Sequence, residues 1–335
     1  MKKAIWMTEA GDELLERVYD PESRRKLAEW VKLAPVTVTR GNIESCAEQA
    51  RDAEIVFSTW GMPAWSEADI RAYMPNLRVV FYAAGSVQAF ARPFLAAGVQ
   101  VASAWKANAV PVAEYTAAQI VLAHKGFFQA ARLTGSEGFA AARAYSEAQP
   151  GNYGARVGIL GAGMIGKLVI ERLRGYQIDV DVFDPFLPDE TAAQLGVRKT
   201  ELADIFAHCD TISNHLANLP ETVGILHGGL FERMKPYATF INTGRGAQVV
   251  EADLIRALRD VPTRTAVLDV TDPEPPLADS ELFRLDNVVL TPHIAGSMSR
   301  EVARMGSYMV DECRRYLNGE PLLYGVTAKM LETMA

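Results

Sequence analysis

Cysteine is scarce. The 335 residues hold three, Cys46, Cys209 and Cys313, far apart and odd in number. They make neither a disulfide framework nor a metal-ligand cluster, so a reducing, cytoplasmic setting and no bound metal are expected. A basic excess is also lacking. Lys plus Arg total 34 against 41 Asp plus Glu, a net charge of −7. That balance argues against a general binder of nucleic-acid backbones. No apolar run approaches the ~18 residues that would span a bilayer, so no membrane partner is expected. The opening stretch MKKAIWMTE has too few apolar residues for a signal-peptide core. Low-complexity tracts and short-period repeats are missing too. What is present is ordinary globular composition, 49% hydrophobic and 22% charged. The length is enough for about two domains with a core each.

The recurring pattern is a short apolar strand followed by a helical stretch, the mark of parallel α/β architecture. One series of strands is predicted at 3–7, 36–38, 55–58, 79–82 and 99–103. A second follows the loop 149–154, at 156–160, 179–183, 211–214, 239–242, 265–269 and 288–290. Two open parallel sheets are the simplest arrangement. From 299 to 318 the pattern changes: Val302, Met305, Met309, Cys313 and Tyr316 recur at three- and four-residue steps, one amphipathic helix. A terminal helix after a completed sheet needs a surface to pack on, and the first sheet is the candidate. The domains expected are therefore 1–108, then 109–296, then 297–335 returning to the first.

The strongest local signal is GILGAGMIG, which ends in Gly161, Gly163 and Gly166 and opens a helical run. Glycines at this spacing allow a tight turn, close approach to a pyrophosphate, and close helix–strand packing. The amides at the helix start, Met164 and Ile165 among them, then face the phosphates. Asp184 ends the next strand, 18 residues after Gly166, where a carboxylate accepts from an adenosine ribose. An acid there repels a 2′-phosphate, so NAD is expected over NADP. The fingerprint lies past residue 150, with a whole sheet before it. That disfavours L-lactate and malate dehydrogenases, which usually carry it near the N-terminus.

Three later segments place charged groups just past strand ends: MKPYATFINTGRG with Thr243, Gly244 and Arg245, LDVTDPEPP with Asp269 and Glu274, and NVVLTPHIAG with His293 and Gly296. In open α/β sheets the carboxyl ends of strands form the ligand crevice, so these should converge on the cofactor. The planar fork of Arg suits a carboxylate, and His suits proton transfer near neutral pH.

These segments resemble the D-isomer-specific 2-hydroxyacid dehydrogenase family, from about residue 55 to 317. The resemblance implies a Rossmann cofactor domain inserted in a flavodoxin-like substrate domain, and commonly a homodimer. It implies that Arg245 binds the carboxylate and keto oxygen of a small 2-keto or 2-hydroxy acid. His293 would then be the acid/base, Glu274 its partner, and Asp269 the holder of the nicotinamide carboxamide. Thr243, Gly244, Arg245, His293 and Gly296 would also touch the cofactor. His215 ends a strand beside that crevice and is open between a cofactor contact and a structural role. His124, His208 and His227 read as packing or surface residues.

The departures lie in the first domain. The family's G-x-G-x-D loop corresponds to AAGSVQ, with Val87 where Asp is common, and Ala217 stands where many members have Pro. The amides of Ala84, Gly85 and Ser86 need no side chain to receive a carboxylate. Trp60, Trp105 and Lys106 are open between pocket lining and ordinary packing or solvation. Phosphite or formate oxidation, and an NADH-sensing corepressor-like role, are the alternatives within the resemblance. Glu274, where formate enzymes usually have Gln, counts against formate.

Overall fold

The computed structural model describes residues 1–333 and divides into two compact units: residues 1–109 with 297–333, and Val110–Gly296. The first is built on β1 (Lys2–Met7), β2 (Val31–Val38), β3 (Ile55–Ser58), β4 (Val79–Tyr82) and β5 (Gln100–Ser103), with β13 (Gly325–Val326) near the end of the chain. The second holds β6 (Tyr153–Leu160), β7 (Gln177–Phe183), β8 (Arg198–Lys199), β9 (Thr211–Asn214), β10 (Thr239–Asn242), β11 (Thr265–Leu268) and β12 (Val288–Leu290).

The central strands IVFS, VVFY, TISN, TFIN and TAVL are buried at every position. A strand without in–out alternation needs cover on both faces, which parallel sheets flanked by helices supply. The first sheet runs β13-β5-β4-β3-β1-β2, and without β13 this is the flavodoxin-like order. Ile5, Met7, Val56 and Val80 pack on one face. Trp6, Phe57 and Phe81 pack on the other, against Leu15, Val18 and the helix Val302–Leu317. That helix buries Val302, Met305, Met309 and Cys313, each large side chain contributing about 1.5–3 kcal/mol of transfer free energy. The second sheet runs β12-β11-β10-β9-β6-β7-β8, the Rossmann order extended by one strand.

The elements differ most from the sequence expectations at three strands, and β6 and β7 also begin three and two residues early. β2 begins at Val31, five residues early, although Pro35 lies within it. It is an edge strand, where proline is tolerated, and the β1–β2 register shifts between Ala4 and Trp6. β8 is only two charged residues. It is held at the edge by the Arg198 guanidinium, which binds buried Asp181 of β7 at 2.7 and 3.0 Å. β13 runs antiparallel to β5, so the first sheet is not wholly parallel. The fully buried carboxylate of Glu312 fixes its approach by accepting from the amides of Leu323 and Tyr324. Of the helix expected over 299–318, residues 299–301 form a separate 3-10 turn and the α-helix begins at Val302.

The three cysteines are buried and unpaired. Among the described residues, no helix is long and apolar enough to cross a membrane, and no group of three or more His, Cys, Asp or Glu is placed to hold a metal.

Candidate active site

The register of the second sheet lines up six strand ends in one row: Phe183, Leu160, Asn214, Asn242, Leu268 and Leu290. The residue after each is Asp184, Gly161, His215, Thr243, Asp269 and Thr291. Parallel strands with buried faces cannot slip by one residue without turning their side chains over, so this row is fixed by the core. The residues of the second unit expected at the site, from scattered parts of the chain, therefore lie along a single sheet edge.

At β6 the chain turns through Gly161, whose φ of +88° is left-handed. A Cβ on Gly161 would stand 2.7 Å from the His215 carbonyl oxygen, and one on Gly166 would stand 2.1 Å from that of Gly161. Only glycine permits this packing of loop, helix and neighbouring strand end. At Gly163, by contrast, the Cβ position has no atom within 4 Å. Gly163 caps the helix Met164–Leu173, whose buried face is Gly166, Val169, Ile170 and Leu173. The first amides of that helix have no partner within it. The Asp184 carboxylate accepts from Ala162 N and Phe186 N, both at 2.8 Å, one on each oxygen, which leaves further lone pairs. An open cradle, free helix-start amides and a carboxylate tied to the glycine turn fit a dinucleotide's pyrophosphate and ribose.

His215 follows β9 at the topological switch point between β6 and β9. Its Nε2 lies 2.9 Å from Ser213 Oγ, while Nδ1 is buried without a partner. Burial pushes the imidazole down to about 3, so the ring is neutral near pH 7.

Arg245 follows β10 and is half-buried; its Nη1 donates to the Gly244 carbonyl at 2.8 Å. Desolvation lowers the guanidinium from its ordinary value, and the charge of Glu274 acts in the opposite direction. Beneath it lies a buried amide network. Asn214 Nδ2 donates to Asn242 Oδ1 at 3.0 Å and to Gln248 Oε1 at 2.7 Å. Asn242 in turn accepts from Gly244 N and donates to the Arg245 carbonyl. The three amides set the backbone that presents Arg245.

His293 Nδ1 lies 2.7 Å from Glu274 Oε1, with both side chains a little under half exposed. With Nδ1 turned to the carboxylate, Nε2 is the ring atom left for a substrate. His293 has φ +54°, uncommon for a residue with a side chain. What holds it there is Asp269, 98% buried. The Asp269 carbonyl accepts from His293 N at 3.0 Å. Its carboxylate accepts from Thr291 Oγ1 at 2.6 Å, Ile294 N at 2.9 Å and Ala295 N at 2.8 Å. Gly296 ends this segment. Asn214, Asn242, Gln248 and Thr291 were not singled out from sequence. Only the strand-end positions of Asn214, Asn242 and Thr291 hinted at a role, and nothing in the sequence marked Gln248.

The first-domain candidates belong to the other unit. Ala84 is buried, Gly85 and Ser86 half-buried, and the loop is held by Ser103 Oγ, which donates to the carbonyls of Ala84 and Gly85. Val87 is buried in the core of that unit, and Trp60 packs against both of its clusters. Lys106 is exposed.

An edge that combines a dinucleotide cradle with an Arg and a Glu–His pair fits a dinucleotide-binding domain of the Rossmann type. Residues 117–295 match the model of the D-isomer specific 2-hydroxyacid dehydrogenase NAD binding domain, and the chain belongs to that family. Its cofactor is NAD. D-3-phosphoglycerate dehydrogenase of Mycobacterium leprae is 33% identical over 260 residues, 76% of this chain and 48% of that protein. The enzyme of that name from Archaeoglobus fulgidus is 34% identical over 179 residues, 53% of this chain and 34% of that protein. The matched stretches thus cover about a third to a half of these relatives' lengths. Two solved structures share the fold. A phosphoglycerate oxidoreductase from Rhizobium etli has a TM-score of 0.82 at 22% identity, covering 99% of this chain and 100% of that one. D-mandelate dehydrogenase of Rhodotorula graminis has 0.80 at 21%, covering 98% of each.

Proposed function

We propose that this protein interconverts a 2-keto acid and a D-2-hydroxy acid with NAD. The observation that carries the reading is the His293–Glu274 pair at 2.7 Å, with Arg245 near enough for the Glu274 charge to act on it. Asp184 would take the adenosine ribose and the helix start at Gly163–Gly166 the pyrophosphate. When bound as NADH, the cofactor supplies the hydride that reduces the carbonyl carbon. Arg245 grips the substrate carboxylate with its fork and polarises the keto oxygen. In reduction, His293 gives the proton on Nε2 to the oxygen that becomes the hydroxyl; in oxidation Nε2 takes it back. Glu274 keeps Nδ1 hydrogen-bonded, so the ring presents Nε2 throughout. His215, neutral and buried, exchanges no proton in this cycle.

Assembly as a homodimer belongs to the same reading, supported by Phe127, Phe139 and Tyr153, which are exposed on the second unit. Light scattering tests it. The activity test is NADH oxidation at 340 nm with glyoxylate, pyruvate, hydroxypyruvate and phenylpyruvate. NAD reduction with D-3-phosphoglycerate, D-mandelate and D-lactate tests the reverse direction on compounds in the names of relatives and neighbours. No turnover in either direction, by protein that binds NADH, would overturn the proposal.

A further inference from the structure

Two consecutive hydroxyls on one helix reach the strand ends that carry the proposed reacting groups. The helix Trp105–Ala123 passes into the second unit, and within that unit it presents Tyr115 and Thr116. Tyr115 Oη donates to Thr291 Oγ1 at 3.2 Å. The Thr116 and Thr243 hydroxyls lie 3.2 Å apart, fully buried at Thr116 and nearly so at Thr243. Thr291 is two residues before His293, and Thr243 two residues before Arg245.

The chain of donors on the His293 side has one direction. Thr291 has a single hydroxyl hydrogen, and that hydrogen goes to the Asp269 carboxylate at 2.6 Å. Its oxygen must therefore accept from Tyr115. The same carboxylate receives Ile294 N and Ala295 N, the amides that follow His293 in its left-handed turn. Tyr115 thus acts on His293 through Thr291 and Asp269. Bonds in such a chain polarise one another, so removing the first donor weakens the rest. On the Arg245 side, the Thr116–Thr243 contact sits beside the bond from Gly244 N to Asn242.

We infer that Tyr115 and Thr116 are positioning residues for the reaction. Tyr115 holds His293 in line for proton transfer, and Thr116 holds Arg245 in line for the carboxylate. The inference rests on the proposed reduction for its kinetic consequence, and on the hydrogen bonds alone for its structural one.

The test uses the full chain with Tyr115→Phe, Thr116→Val and Thr116→Ser. Phe keeps the ring, Val keeps the shape, and Ser restores the hydroxyl. Loss of one net hydrogen bond corresponds to a change of about three- to tenfold. With NADH and hydroxypyruvate or glyoxylate as probes, Tyr115→Phe should lower kcat by that factor with KM little changed. Thr116→Val should chiefly raise the keto-acid KM, and Thr116→Ser should return it to wild type. A packing role would lower Tm without this kcat-against-KM split or the Ser rescue. The second readout needs no turnover. Hydrogen–deuterium exchange should quicken by about three- to tenfold at Ile294 and Ala295 in Tyr115→Phe, and at Gly244 in Thr116→Val. Unchanged exchange at those amides in folded variants overturns the inference. So do unchanged kinetics in variants of an active enzyme. If wild type reduces neither probe, the reaction reading fails on its own, and the exchange result alone decides whether these hydroxyls hold the two turns.

Discussion

The neutral His215 has a consequence that can be measured without any substrate. Its imidazole is pushed from an ordinary 6.5 down to about 3 by burial alone. Between those values the unfolded chain binds a proton at this position and the folded one does not. Stability rises with pH wherever the unfolded state binds more protons, so it falls as pH drops below about 6.5. At pH 5.0 the unfolded ring lies 1.5 pH units below its midpoint while the folded one is still neutral, and 1.5 × 1.36 gives a penalty of about 2 kcal/mol. At pH 7.5 the penalty is close to zero. The perturbation is His215→Gln, which keeps a hydrogen-bonding side chain beside Ser213 and removes the titration. His124, lowered by burial against a raising bond from Asn152, is common to both proteins and cancels in the comparison. Tryptophan fluorescence is the wrong probe, because Trp6, Trp30, Trp60, Trp65 and Trp105 all lie in the first unit. Urea unfolding followed by far-UV circular dichroism at pH 7.5 and 5.0 should show wild type losing about 2 kcal/mol more than the variant. Because two units need not unfold together, the direct companion is the His215 ring signal by NMR, which should not titrate down to pH 5. Equal losses in the two proteins, or a ring signal that titrates near 6.5, would refute the reasoning.

Four further outcomes are expected. Arg245→Lys keeps the charge and loses the fork, so kcat/KM for keto acids should fall on the order of 10- to 100-fold with NADH affinity nearly unchanged; wild-type kcat/KM would remove Arg245 from the reaction. His293→Ala should lose about 100- to 10,000-fold in turnover while still binding NADH, and Glu274→Gln should fall between it and wild type; stopped-flow single turnovers separate the chemical step from binding. Asp184→Ala should weaken NADH about tenfold and narrow its advantage over NADPH, read by fluorescence titration. Gly166→Ala puts a methyl 2.1 Å from the Gly161 carbonyl oxygen, and should destabilise the second unit by about 1–3 kcal/mol and weaken NADH with it.

The parts of the fold legible in sequence are those in which one short segment carries its own reason for being a strand. TFIN, TAVL, TISN, IVFS and VVFY are apolar enough, or close enough to a turn signal, to be read without a partner. β8 and β13 are two residues each and exist only because Asp181 and Glu312 hold them in place, from 17 and 11 to 12 residues away. β2 contains a proline, and only its place at the sheet edge makes that acceptable. The candidate site divides in the same way. Arg245, Glu274 and His293 carry charge or a titratable ring just past a strand end, so residue type and position mark them. Asn214, Asn242, Gln248, Tyr115 and Thr116 are common polar residues whose partners lie up to 176 residues away. Their roles exist only once the chain is folded.

That division follows from how the site is built. Each candidate group sits on a loop that leaves a parallel strand within a few residues, and neighbouring strands stand about 4.8 Å apart. The strand row therefore fixes which groups are neighbours: Asp184, the glycine turn, His215, Arg245, then Glu274 with His293. It does not fix where each side chain points. Pointing is decided by bonds from side chains to backbone: Asn242 to Gly244 and Arg245, Asp269 to Ile294 and Ala295. Because Asp269 is 98% buried and supplies both a carbonyl and a carboxylate to one turn, the uncommon backbone of His293 is held from a neighbouring strand end as well as from the Thr291 carbonyl of its own loop. A substitution that removes a pointing bond should thus alter kcat or KM while the sheet stays intact, and one that removes a strand contact should lower stability first. Separating those two effects at Tyr115 and Thr116 tests whether the row and the pointing are independent.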